Sequence, residues 1–190
     1  MTSLSSIALT GLKHVGKSTI GHRLSHLLKL DFVDLDDLLV RRAVHENTIT
    51  PEAGGTGGEE PPIRVVYRAL GSSAFGQWEA EAIRDIPRAY RGSGIVLATG
   101  GGVCDHPRSM ELIRAAYCVL YLWNDPVVLY QRAVSHGVPA FLDQERPRDH
   151  FLEIAERRDE LYRIYADHVV DISGLSIENA AARIIAYCKG

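Results

Sequence analysis

The sequence predicts an α/β protein of three layers, with helices on both faces of a central parallel sheet. Three observations carry that class. Short, continuous apolar runs at Ser6–Thr10, Ile95–Thr99 and Cys118–Trp123 are separated by stretches with helical apolar spacing. Strands apolar on both faces are buried on both faces, and their alternation with helices builds a parallel sheet. A Gly-rich turn joins the first run to the first helix. The 190 residues are 46% hydrophobic and 24% charged, which excludes a disordered, collagen-like or disulfide-scaffold chain. One domain, residues 1–190, is expected, and it is long enough to bury a core without disulfides.

Each element has its own justification. Ser6–Thr10 is a buried strand. From Lys17 to Leu30, Ile20, Leu24, Leu27 and Leu28 recur at spacings of three and four, so this segment is a helix. Asp31–Asp34 is a second strand, and Asp36 or Asp37 is placed to cap a helix through about His45. Residues 46–62 are rich in Gly, Pro and acid and read as a surface loop or insertion. A helical stretch resumes at about Ile63 and another spans Phe75–Ile86. The strand Ile95–Thr99 ends in Gly100-Gly101-Gly102. A helix over 109–115 leads to the strand Cys118–Trp123. Another helix follows Asp125, with Pro126 in its first turn. Residues 136–149 read as a loop and about 150–166 as a charged helix. His168–Ile172 is a last strand, and a helix over about 176–187 follows. No internal repeat is present.

A net charge of −3 and the lack of a basic tract argue against a nucleic-acid partner. No apolar run approaches membrane-spanning length, and the N-terminus lacks a basic region before its apolar run, so neither membrane span nor signal peptide is expected. Cys104, Cys118 and Cys188 are an odd count without metal-type spacing and fit reduced thiols in a cytoplasmic protein. A monomer is expected.

Residues Gly11-Leu12-Lys13-His14-Val15-Gly16-Lys17-Ser18 fit G-x-x-x-x-G-K-[ST], after a strand and opening a helix. The glycines let backbone wrap a phosphate. The helix N-terminus offers free N–H groups and the positive end of a dipole. Lys17 reaches the β- and γ-phosphates and Ser18 is a Mg²⁺ ligand in such a loop. The expected nucleotide site is Gly11 to Thr19, with ATP as co-substrate. A GTPase would need N-K-x-D, which is absent, and Asp171-Ile-Ser-Gly174 matches D-x-x-G too near the C-terminus for a switch. The length suits a small-molecule kinase.

Beyond this loop the sequence resembles the shikimate kinase family. The likeness rests on ordered motifs across nearly the whole chain outside 46–62: residues 11–18, Phe32-Val-Asp34-Leu-Asp36, Phe75-Gly76-Gln-Trp-Glu79, Gly100-Gly101-Gly102 and Arg158-Asp-Glu-Leu-Tyr162. It implies a P-loop kinase fold, an acceptor-binding segment over about 34–90 and a lid over about 136–150. It implies phosphoryl transfer from ATP to a hydroxyl of shikimate, giving shikimate 3-phosphate. Asp34 then serves the Mg²⁺ shell, and Asp36 holds the acceptor hydroxyl and orients its proton. Placement suits this chemistry because phosphoryl transfer needs positioning and charge neutralisation more than covalent help. Gly100, Gly101 and Gly102 bring backbone close to the ligand, Glu79 belongs to the acceptor site, and Arg158 meets the acceptor carboxylate. Arg132 packs by the adenine. Plainer roles stand beside these: a helix cap for Asp36 or Asp37, an ordinary turn for the glycines, and solvated helix arginines at Arg132 and Arg158.

The chain departs from the family in two places. Phe-Arg-x-x-Glu becomes Phe75-Gly76-Gln77-Trp78-Glu79, leaving Glu79 without its arginine, and Trp78 is a candidate to fill part of the gap. The lid Val-Arg-Pro-Leu-Leu becomes Val138-Pro139-Ala140-Phe141-Leu142, with Arg146 and Arg148 as candidate substitutes. Two other functions remain open on this basis: a kinase for another small hydroxylated metabolite, or a nucleotide-binding regulatory protein without transfer activity.

Overall fold

The structure is a computed structural model that describes residues 6–50, 61–90, 94–135, 138–139 and 142–189. Residues 51–60 of the expected insertion and 136–137 and 140–141 of the expected lid lie outside the described residues. The elements run β1 (Ile7–Thr10), α1 (Lys17–Leu28), β2 (Asp31–Asp34), α2 (Leu35–His45), α3 (Pro62–Ala89), β3 (Ile95–Ala98), a 3₁₀ turn (Val103–Asp105), α4 (Pro107–Ala116), β4 (Cys118–Trp123), α5 (Pro126–Val134), α6 (Pro147–Tyr165), β5 (His168–Asp171) and α7 (Ile177–Lys189).

Among the described residues the sheet has five strands, all parallel, in the order β2-β3-β1-β4-β5. Every residue of β1 and β3 is buried, as continuous apolar strands in a doubly covered sheet require. The strands divide their side chains between two cores. Ala8, Leu97, Val119 and Tyr121 pack with α2, α3 and α4 on one face. Ile7, Leu9, Val96, Leu120 and Val170 pack with α1 and α7 on the other. The period-two alternation of a strand makes this division.

Register decides where the site falls. Ala98 stands opposite both Leu9 and Asp34. The carboxyl ends of β1, β2 and β3 therefore finish level, and the turns after them share one edge of the sheet, where ligands bind in open parallel sheets.

Several boundaries differ from the sequence expectation. The cap of α2 is Asp34, not Asp36 or Asp37: its Oδ1 accepts from the Asp36 backbone N–H at 3.0 Å. The helix thus starts at Leu35 and carries Asp36 in its first turn. The two helical stretches expected after Ile63 are both present within α3, separated at Gly71, whose φ of 74° is left-handed; only the start of the second lies before the expected Phe75. Helix α6 begins at Pro147, so the last residues assigned to the lid are already helical; proline at a first turn gives up an N–H that has no helical partner. The helix expected over 109–115 extends to Pro107–Ala116 for the same reason.

Candidate active site

The turn after β1 is held from several sides. Gly11 has φ 139°, and a Cβ there would lie 2.6 Å from the carbonyl oxygen of Leu122 on β4, a contact that only glycine avoids. Leu12 and Val15 are buried in the core and anchor the loop by their side chains; of the loop, Lys13, His14 and Gly16 to Thr19 line the cavity described below, and Gly11, Leu12 and Val15 do not. The buried Tyr162 hydroxyl donates to the Gly11 carbonyl at 3.2 Å. Exposed Arg132 donates to the His14 carbonyl at 3.1 Å, so it braces the loop from outside. His14 and Gly16 have left-handed backbones. No side chain caps α1, which leaves its first N–H groups facing the loop as an anion cradle. Lys17 is buried and donates from Nζ to the carbonyls of Gly11 and Leu12 at 2.8 and 2.9 Å. Burial pushes its ammonium down to about 8, against the raising pull of Asp36 and Asp34.

Ser18 Oγ donates to Asp34 Oδ2 at 2.6 Å. Two hard oxygen donors thus meet beside the phosphate cradle, one from each strand-to-helix junction. Burial, with Asp34 beside it, raises the Asp36 carboxyl to about 6.

The three glycines after β3 each leave room for one functional residue. A Cβ on Gly100 would lie 2.8 Å from Asp36 Oδ1. One on Gly101 would lie 2.7 Å from the backbone nitrogen of Lys13, and one on Gly102 3.1 Å from Arg158 Nη2. The run is therefore a seat for Asp36, for the loop after β1 and for Arg158, and it does more than turn the chain.

Lys17, Ser18, Asp34, Asp36 and the three glycines line one cavity of about 730 Å³ together with Glu79, His106 and Arg158. Arg158 is bound to Asp105 by two donors, Nη2 at 2.7 Å and Nε at 3.1 Å, and its Nη1 donates to the Gly101 carbonyl at 2.9 Å. Its side chain is 22% exposed, not part of a solvated helix face. Glu79 is 2% exposed, and its Oε2 stands 2.7 Å from His106 Nδ1. The structure thus gives Glu79 a partner despite Gly76. Trp78 is not that partner: it lies under the Arg42 guanidinium, 4.2 Å from the ring centroid, on another face of α3. Arg146 and Arg148 are exposed, outside the cavity lining.

Sequence reasoning missed Arg64, Arg68, Asp105 and His106, all of which line the cavity. The spacing of Arg64 and Arg68 places them on one helical face. Asp105 and His106 follow the three glycines closely, but only the fold shows that they meet Arg158 and Glu79.

The fold and the site define a P-loop protein of the small-molecule kinase class: a phosphate cradle, an adjoining pair of oxygen ligands and a carboxylate in one cavity. A family model described as Shikimate kinase matches residues 13–51 and 58–189. The chain is 34% identical over 182 residues to a shikimate kinase of Dechloromonas aromatica, covering 96% of this chain and 87% of that relative. It is 32% identical over 181 residues to one of Thermus thermophilus, covering 94% and 87%. Among solved structures, shikimate kinase from Acinetobacter baumannii in complex with shikimate matches with a TM-score of 0.78 at 24% identity, over 97% of this chain and 92% of that one. The chain belongs to the shikimate kinase family.

Proposed function

We propose that this protein transfers the γ-phosphoryl group of ATP to a hydroxyl of shikimate, giving shikimate 3-phosphate. The observation that carries the proposal is one cavity lined by Lys17, Ser18, Asp34, Asp36, Glu79 and Arg158 together. Family membership supplies the substrate class.

The backbone of 11–18 and the uncapped start of α1 bind the β- and γ-phosphates. Lys17 leaves its two carbonyl partners to follow charge onto the transferring group. Ser18 and Asp34 suit Mg²⁺, which takes oxygen ligands and is commonly held by one or two protein groups plus substrate phosphates. When bound, Mg²⁺ neutralises charge on the phosphate oxygens. Asp36 accepts a hydrogen bond from the acceptor hydroxyl and aims its oxygen; even with burial raising it to about 6, the carboxyl is mostly ionised at neutral pH. Arg158 keeps one face on Asp105 and offers its cationic edge to the acceptor carboxylate. Arg132, which braces the loop through the His14 carbonyl, is the residue we assign to pack by the adenine. The lid that family membership leads us to expect before α6 would exclude water from both substrates.

Incubation with Mg-ATP and a panel of small hydroxy acids, read by mass spectrometry, tests this. The expected product is monophosphorylated shikimate. Phosphorylation of another acceptor in its place would overturn the substrate assignment.

A further inference from the structure

His106 sits where a side chain at position 76 would have to go. A Cβ on Gly76 would lie 3.1 Å from His106 Cδ2, 3.2 Å from Cγ and 3.4 Å from Nε2. Gly76 lines a neighbouring groove, and the imidazole borders both that groove and the cavity. Its backbone is fixed: the His106 N–H donates to the Val103 carbonyl at 3.0 Å, and Pro107 follows at the start of α4. The ring is fixed too, because Nδ1 is 2.7 Å from Glu79 Oε2 and the Phe75 ring centroid is 6.1 Å away. Glu79 has almost no contact with water, whereas His106 keeps 19% of its side chain exposed and lines the cavity.

A carboxylate on Nδ1 fixes what the other nitrogen can do. With Nδ1–H donated to Glu79, a neutral ring presents a lone pair at Nε2, which repels an anion. A protonated ring presents a second N–H and a positive charge. Only the imidazolium can bind a carboxylate from this position.

We propose that His106, as an imidazolium backed by Glu79, binds the carboxylate of the acceptor from Nε2 and supplies the cation that position 76 does not. The assignment rests on the acceptor being shikimate, as proposed above. It makes acceptor affinity proton-dependent at this point, which a guanidinium would not. The groups facing the ring are Glu79 and Phe75 from α3, Asp105 from the turn before it and Arg158 from α6; Glu81 and Arg84 of α3 and Arg108 of α4 line a neighbouring groove that the ring also borders. The bond to Glu79 holds the proton above the usual histidine range, aided by Asp105 and opposed by burial and Arg158.

Calorimetric titration of the full chain with shikimate at pH 6 and pH 9 tests this, using wild type and His106→Gln. The amide keeps a donor for Glu79 but carries no charge. We expect wild type to bind shikimate about 10- to 100-fold more weakly at pH 9, the range of a lost charge-assisted hydrogen bond. H106Q should bind weakly at both pH values and lose most of that dependence. NMR of the wild-type imidazole provides a measurement without a variant: bound shikimate should move the His106 titration to higher pH. Shikimate binding that is equal in wild type and H106Q, with an unmoved His106 titration, would overturn the inference and leave shikimate as acceptor. No binding to wild type at either pH would overturn both.

Discussion

Ser18 donates its hydroxyl to Oδ2 of Asp34 across 2.6 Å, joining the first turn of α1 to the end of β2. The other oxygen of the same carboxylate caps α2 through the Asp36 N–H. One side chain thus places a hard oxygen beside the phosphate cradle and sets the backbone that carries Asp36. The level strand ends make this possible, since Asp34 pairs with Ala98 and Ala98 with Leu9.

The two jobs of Asp34 separate by substitution. Asparagine caps helices as well as aspartate does, and alanine does not. Asp34→Ala should lose about 1 kcal/mol of stability in chemical denaturation, while Asp34→Asn should stay close to wild type. Both should raise the Mg²⁺ concentration needed for half-maximal turnover. A stability loss in D34N equal to that in D34A would contradict the capping role.

Lys17 Nζ is held by the carbonyls of Gly11 and Leu12 beside the phosphate-binding loop. Lys17→Met should lower kcat by about 100- to 1,000-fold, the usual cost of removing one donor to developing charge. Circular dichroism should show the fold intact. Turnover within about threefold of wild type would remove Lys17 from the transfer step.

The glycine seat predicts two different kinetic defects. In Gly100→Ala the new methyl meets Asp36 Oδ1 at 2.8 Å, so kcat should fall with the KM for ATP nearly unchanged. In Gly101→Ala it meets the backbone of Lys13 at 2.7 Å, so the KM for ATP should rise. Steady-state kinetics in both substrates distinguishes them, and the same defect in both variants would contradict the assignment.

The His106–Glu79 pair also links folding to pH. The proton on His106 is held more tightly in the folded chain than at the ordinary value of 6.5. A raised folded value adds stability that is complete below pH 6.5 and fades as pH rises through the folded value. Urea denaturation should show that decline in wild type and not in H106Q. A wild-type stability that rose over this interval relative to H106Q would have the wrong sign.

The sheet was legible because its strands are uniform: β1, β3 and β4 are apolar runs that no amphipathic surface strand would show. The phosphate cradle was legible because its glycines, Lys17 and Ser18 are close in sequence. The acceptor end was less so. Glu79 and His106 are separated by a strand and the glycine run, and nothing local announces their 2.7 Å contact. Gly76 read as a loss because sequence shows the missing side chain but not the ring that takes its space. Arg64 and Arg68 lie in a helical stretch that the sequence does show, but nothing local says that this stretch lines the cavity. The cap of α2 was placed two residues late because three aspartates at 34, 36 and 37 compete locally, and Asp34 alone has the extended backbone that a cap needs.

The most direct test of the whole account is ADP release from Mg-ATP, with and without shikimate. The account predicts slow release alone and strong stimulation by shikimate that saturates with concentration and is lost in Asp36→Asn. ATP binding with no shikimate-dependent release would contradict it.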